Sequence, residues 1–489
     1  MNIYPLPKCL VWNDGAFVFG SQATMQVNCA LREDRKELLC TLWNRFSFTA
    51  SVLTVLENGQ LTADTAVIGE GSVPALSSED EYAVLVTPKG VGIAARGETG
   101  LMHAMYSLIQ VIDPINLDYG EEKLEIPAME IHDHPSIGLR SVHLCVFPET
   151  SLTLIKKAIS LAGLLKCGSV VLEFWGTLRY DVLPELCWPG HAYSKEQVRP
   201  LISLANAFGM EVIPMFNHLG HAAQARECMG RHTMLSQNPR LATLFEQDGW
   251  TWCLSNPRSH ELLHAIREEL IDLCGEGGYF HLGCDEAYSF ATCRRCADKD
   301  GVKMLIDYLN GLAEELDAHG RRGIIWADQF LERSAWLGFV ANSKPAMPTH
   351  LVLEKLDKRL IMADWQYDRK EGPIPTAEHL KKHGFTTLVC PWDDNSHKNV
   401  RCLTEAAVAQ DFDGVMLTTW NRLPEMLRDF AWDFSALWNG TMPKDGRSWF
   451  PSACLLRKLM PAGSRYEDCG FLPWEAEDNY SNRSYSEEK

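Results

Sequence analysis

"YFHLGCDEAY", residues Tyr279–Tyr288, is followed by "VKMLIDYLNGLAEELDAHG" at 302–320 and by "GIIWA" at 323–327. A short apolar run, a stretch with apolar residues at helical spacing and a second apolar run read as strand, helix, strand. A helix between two strands returns the chain to the starting end, so the strands run parallel. The same unit recurs in both directions. Upstream stand "GLRSVHL" with "SLTLIKKAISLAGLLK", "SVVLEF" with "SKEQVRPLISLANAFG", and "EVIPMF" with "SHELLHAIREELIDLC". Ser194 and Gln197 open the second of these helices as a capping box. Downstream stand "LIMADW", "TTLVCPW" and "GVMLTTW". Eight strand candidates with helical stretches between most of them predict an α/β fold, a (β/α)8 barrel of the TIM type. An open doubly wound sheet would want a Gly-rich phosphate turn after its first strand, and none is present.

The chain before the barrel has a different rhythm. "AFVFG" and "ATMQVNC" read as strands, "YAVLVTPKGVGIAA" as a hairpin turning at Pro88-Lys89-Gly90, and "GETGLMHAMYSLIQVI" as a helix. We therefore expect a small α+β domain over 1–127, the barrel over 128–440, and a C-terminal helix ("FPSACLLRKLM") with a polar tail over 441–489. Of the 489 residues, 64 are acidic and 46 basic, a formal charge of -18. That balance argues against nucleic acid as a partner. No apolar run approaches the ~20 residues that span a bilayer, so no membrane partner is expected. The N-terminus shows no basic region followed by an apolar one. With sixteen scattered cysteines, this predicts a cytoplasmic chain with reduced thiols. Cys293 and Cys296 in "CRRC" have zinc-like spacing. A structural zinc takes about four ligands and no second CxxC exists, so the expectation is free thiols in a loop, no metal and no cofactor.

Active sites of such barrels lie at the carboxyl ends of the strands. The reading places Arg140 on strand one, Glu173 and Trp175 at the end of strand two, and Asn217, His218 and His221 after strand three. Asp285 and Glu286 follow strand four, and Trp326 and Asp328 strand five. Trp365 ends strand six, Trp392, Asp393 and Asp394 strand seven, and Trp420 strand eight. Four tryptophans at the last four strand ends make flat apolar walls with polar edges, which suit the C–H faces of a sugar. An adjacent Asp-Glu pair inside a strand would point to opposite faces and bury one charge. Just past a strand end, both can turn into one pocket. Two close acids push their pKa values apart, so that one stays protonated near neutral pH and the other ionised. Acid-catalysed glycoside cleavage uses that division. His143 and His281 lie within strands and read as core histidines. Asp328 reads as a helix-start charge, and Trp175 as packing under the small domain.

"HLGCDE" fits His-x-Gly-x-Asp-Glu, and on it the chain resembles glycoside hydrolase family 20, the β-N-acetylhexosaminidases, closest to the hexosaminidase D-like branch. "IYPLPKCLVWNDGAFVFG", "IPAMEIHDHPSIGLRSVHL" and "YSKEQVRPLISLANAFGMEVIPMFNHLGHA" extend the resemblance over most of the chain. It implies an exo-acting, retaining enzyme in which the substrate's own 2-acetamido oxygen attacks the anomeric carbon. In that scheme Glu286 is the general acid/base and Asp285 orients the acetamido group. Arg140 binds ring hydroxyls, Trp326, Trp365 and Trp420 form walls, and His221 supports the acid/base. The sequence departs from the family in three places. "EFWGTLRYD" replaces a Thr-Asp-Asp run, leaving Glu173 to take over there. Met215 and Asn217 replace an acidic pair. Trp392-Asp393-Asp394 replaces Tyr-x-Asp, with Asp394 as the acetamido or hydroxyl partner. The implied partner is a carbohydrate with a terminal N-acetylhexosamine, and a homodimer is compatible with the sequence. The alternatives are a same-fold glycosidase with another sugar preference and a non-catalytic carbohydrate-binding relative.

Overall fold

The computed structural model describes residues 3–27, 30–47, 51–57, 76–112, 124–187, 190, 192–223, 233–420, 423–443 and 449–459. Eight parallel strands close into a barrel. In chain order they are Leu139–Cys145, Ser169–Glu173, Glu211–Met215, Tyr279–Gly283, Arg322–Trp326, Ile361–Asp364, Thr386–Val389 and Gly414–Thr418. All eight fall on the apolar runs read from the sequence. Such runs are legible because helices cover the outside and side chains fill the inside, so both faces of each strand are buried. Val171, Ile213, Ile324, Ile361, Leu388 and Met416 form the packed interior.

Helices Leu152–Leu164, Lys195–Ala207, Pro257–Cys274, Gly301–Ala318, Pro375–Lys382 and Lys398–Ala409 surround it. The capping box is present: the Ser194 hydroxyl accepts from the Gln197 N–H, and the Gln197 side chain accepts from the Ser194 N–H. After strand five no α-helix forms; two 3-10 segments, Asp328–Phe330 and Thr349–Lys355, take its place. No helix among the described residues is long and apolar enough to cross a membrane.

The small domain carries a four-stranded antiparallel sheet in the order Cys9–Phe19, Leu124–Asp133, Tyr82–Thr87, Gly90–Ala95. Strand Leu124–Asp133 crosses the boundary expected at residue 127. It pairs with Cys9–Phe19 as far as His132 and with Tyr82–Thr87 as far as Asp133, so the sheet of the small domain runs past Pro127 to Asp133. The polar tail read at the C-terminus lies outside the described residues; the helix before it is Trp449–Leu459.

A buried charged cluster joins the small domain to the amino end of the barrel. Lys166 Nζ lies 3.1 Å from Asp133 and donates to the Tyr82 hydroxyl at 2.6 Å. The Trp438 indole N–H also donates to Asp133. Arg140 belongs to this cluster, which corrects its expected role. It is the second residue of strand one, so it enters at the amino end, opposite the site. Its guanidinium donates to the carbonyls of Ile137 and Gly138, pairs with Asp80 at 3.0 Å and lies over the Trp438 ring. A sugar at the carboxyl end of the strands is out of its reach.

Candidate active site

Past strand four the backbone turns sharply. Gly283, Cys284 and Glu286 have φ of 67°, 76° and 49°, a left-handed stretch that two non-glycine residues enter at a cost. Gly283 also lies against Asn217: a Cβ there would meet the Asn217 side-chain oxygen at 2.1 Å. The turn brings both acids to one side. His221 Nε2 lies 3.5 Å from Asp285 and 3.2 Å from Glu286. Asp285 is buried, while the Glu286 side chain keeps 27 % exposure. The loop bearing His221 fits closely under them, since a Cβ on Gly220 would strike the Asp285 carbonyl at 1.9 Å.

His221 is itself held. Its carbonyl accepts from the Trp175 indole N–H at 3.0 Å, and its ring lies 4.5 Å from that of Trp250. Trp175 is therefore a support for His221 rather than packing under the small domain. The Trp250 indole donates to the Glu286 carbonyl at 2.6 Å, and the Tyr288 hydroxyl donates to the Glu286 carboxylate at 2.8 Å. Trp250 and Tyr288 act through loop–loop contacts that sequence spacing does not display.

Asp328 is a third acid in the group. It accepts from the Glu286 backbone N–H (3.0 Å), Asn342 (2.7 Å) and the Trp365 indole (3.2 Å). It thus ties the acid pair to the aromatic wall, beyond the helix-start role read from sequence. Burial and the charge of Asp285 push its carboxyl up to about 7, against the lowering by the Glu286 N–H and Asn342. Glu286 goes the other way. Burial raises it, but His221 and Tyr288 outweigh burial and Asp285, and it lies below its ordinary value. Asp328 is thus lifted into the neutral range, while Glu286, one member of the adjacent pair, is not.

This has a consequence for stability. A carboxyl whose value is raised by folding favours the protonated state. Its contribution is complete below about 4 and is lost as pH rises through about 7, where a buried charge opposes folding. Asp328→Asn cannot ionise. Its stability relative to wild type should therefore increase by a few kcal/mol from about pH 4 to about pH 8, measured by urea unfolding across that range. Parallel curves for the two proteins would exclude a titrating Asp328.

Three indoles and a phenol line the mouth over a buried fourth indole. Trp326 is fully buried as a floor, 5.9 Å from Trp420 and 4.5 Å from His281 between ring centres. Trp365, Trp392 and Trp420 are partly exposed. Tyr367, absent from the sequence reading, lies among them: its ring is 5.2 Å from Trp365 and 5.8 Å from Trp392, and its hydroxyl accepts from the Trp420 indole at 2.9 Å. Glu173 does not face a ligand as expected. It is buried, and its oxygens meet His143 Nε2 and the Asn217 amide, each at 2.8 Å. It anchors strands one, two and three beneath the floor, and His143 packs there against Trp420. Asp394, read as the acetamido or hydroxyl partner, stays one-third exposed. One oxygen pairs with Lys370 at 2.8 Å and the other accepts from Ser396. Its carboxyl falls to about 2; burial opposes this and the Lys370 and Ser396 contacts prevail.

A (β/α)8 barrel with an acid pair and an indole wall at the carboxyl ends of its strands has the architecture of a glycoside hydrolase. The chain belongs to glycosyl hydrolase family 20: residues 176–420 match its catalytic domain and residues 1–134 its domain 2. A β-N-acetylhexosaminidase of Cellulomonas fimi is 23% identical over 273 residues, 52% of this chain and 51% of that protein. Hexosaminidase D of Bos taurus is 26% identical over 163 residues, 32% of this chain and 44% of that protein. The chain thus spans about half the length of these relatives. Among solved structures, the exo β-N-acetylglucosaminidase of Vibrio harveyi with bound N-acetylglucosamine superposes with a TM-score of 0.67 at 17% identity, over 93% of this chain and 76% of that one.

Proposed function

We propose that the protein is an exo-acting, retaining β-N-acetylhexosaminidase that releases terminal GlcNAc or GalNAc with help from the substrate's acetamido group. The observation that carries this reading is the meeting of Asp285 and Glu286 on one imidazole beside the indole wall. The two acids serve different atoms of one sugar. Glu286, the more exposed, gives a proton to the leaving oxygen and later takes one from water. Asp285, buried beside it, receives the acetamido N–H and steadies the positive charge that grows as the acetamido oxygen attacks the anomeric carbon. Trp365 and Trp420, resting on the buried Trp326, enclose the acetamido methyl and the sugar face, with Trp392 at the edge.

The resting Glu286 is ionised at neutral pH and must gain a proton before it can donate one. A bound sugar supplies the means: it covers the exposed edge of the carboxylate and removes water, which favours the neutral acid. The family membership and the bound N-acetylglucosamine of the Vibrio harveyi relative support the same substrate class.

Chromogenic β-glycosides test the reading. Hydrolysis of the GlcNAc and GalNAc compounds is expected, with the plain glucoside and galactoside turned over at least about 100-fold more slowly, the scale of losing one transition-state partner. Comparable rates on the plain glycosides would remove the acetamido group from the mechanism.

A further inference from the structure

Next to the active site, on the far side of the loop that carries Tyr288, three thiols and a carboxylate meet in the protein interior. Cys253 Sγ lies 3.4 Å from Cys293 Sγ and 3.7 Å from Cys296 Sγ, and the last two are 3.5 Å apart. All three are buried free thiols. Glu246, 1% exposed, closes the group: its carboxylate and the three sulfurs each offer a ligand atom, all within 4.8 Å of one another. One Glu246 oxygen, Oε2, accepts from the backbone N–H of Thr292 and Cys293. The other, Oε1, is buried without a hydrogen-bond partner.

We propose that Glu246, Cys253, Cys293 and Cys296 form a structural zinc site. A buried carboxylate beside three thiols with one of its oxygens unpartnered is costly as it stands, and a divalent cation bound to all four removes the cost. The geometry suits zinc. Four-coordinate zinc takes sulfur at about 2.3 Å and carboxylate oxygen at about 2.0–2.2 Å. Tetrahedral sulfurs at that radius stand about 3.8 Å apart, close to the observed triangle. A disulfide would need about 2.05 Å. Cys293 and Cys296 sit in a tight turn, with the Cys296 and Ala297 N–H groups both donating to the Cys293 carbonyl, so their sulfurs are presented together. On binding, the thiols release their protons to solvent and coordinate as thiolates. The Ser255 hydroxyl, 3.1 Å from Cys296 Sγ, can then donate to that thiolate. The "CRRC" pair alone did not suffice as a site in the sequence. Cys253 and Glu246 arrive from a loop some forty residues upstream, whose ends are bridged at Phe245 and Trp252.

The site joins two active-site loops: one carries Trp250, which contacts Glu286 and His221, and the other carries Tyr288. Zinc would act as a fastener, with no free coordination position and no part in the chemistry.

The test is metal analysis of the full-length, untagged chain purified under reducing conditions without chelator. About one zinc per chain is expected, with X-ray absorption showing three sulfur neighbours near 2.3 Å and one light atom. Cys253→Ser and Glu246→Gln should each weaken zinc retention at least about tenfold in competition with a chromophoric chelator. If these variants fold poorly, the wild-type chain serves alone: stripped and then titrated with cobalt(II), it should develop thiolate-to-cobalt charge-transfer absorption saturating at one equivalent. Less than about 0.2 zinc per chain after reconstitution would overturn the proposal. So would a Cys253 disulfide in the freshly purified protein, or zinc retained unchanged in Cys253→Ser.

Discussion

Glu286→Gln is expected to lower kcat/KM by about 10²–10⁴-fold on substrates with poor leaving groups, and much less on aryl glycosides whose aglycone departs without a proton. The difference between substrate classes is the informative quantity. The substitution keeps the volume and the Tyr288 and His221 neighbours, so a mere disturbance of the loop would slow every substrate alike. A pH profile gives a second readout. A general acid is lost as pH rises, so wild-type kcat/KM on a poor leaving group should decline toward alkaline pH, and that limb should vanish in the variant. Because His221 and Tyr288 hold the free Glu286 below its ordinary value, the decline should begin on the acid side of neutrality in kcat/KM, which reports the free enzyme, and at higher pH in kcat, which reports the complex. Equal losses on good and poor leaving groups would take the proton-donor role away from Glu286.

The parts of this site that could be read from the sequence are those fixed by position along a strand. The eight strands, the hairpin at Pro88-Lys89-Gly90 and the placement of Asp285 and Glu286 beyond strand four followed from apolar runs and the glycine that ends one of them. Arg140 was misplaced although the information was present: strand one runs from Leu139 to Cys145, so its second residue lies at the end away from the site. Asp328 was legible as a strand-end acid, but its link to the Glu286 N–H depends on the turn at Gly283–Glu286. Glu173 was read at the end of strand two as a replacement for the acid of the Thr-Asp-Asp run; His143 on strand one and Asn217 just past strand three claim its oxygens. Leu124–Asp133 escaped because Pro127 and its charged residues obscure the period-two burial of an antiparallel strand. Trp250, Tyr288, Tyr367 and the Glu246–Cys253 partners of the CxxC pair come from loops, whose contacts obey no periodicity.

Asp285→Asn is expected to lower kcat about 10²–10³-fold, or about 2.7–4 kcal/mol, with a smaller change in KM. That is the scale of removing one preorganised partner from a developing charge. The effect falls on kcat because the charge on the acetamido nitrogen grows only as its oxygen bonds to the anomeric carbon, so the ground state gains little from the carboxylate. An asparagine fits the buried site and can still accept one hydrogen bond, but it supplies no negative charge. N-acyl substrates with zero to three fluorines on the acetamido methyl should sharpen the result. Each fluorine makes the attacking oxygen poorer, so the wild-type rate should fall steadily along the series, and the variant, already short of charge stabilisation, should lie below it throughout. Asp285 also bears on its neighbour, since its charge helps hold Asp328 up to about 7. Removing that charge should bring Asp328 down toward its ordinary value and move the pH-dependent loss of stability to lower pH in urea unfolding. Near-normal turnover of the variant across the fluorinated series would show that the acetamido group reacts without Asp285.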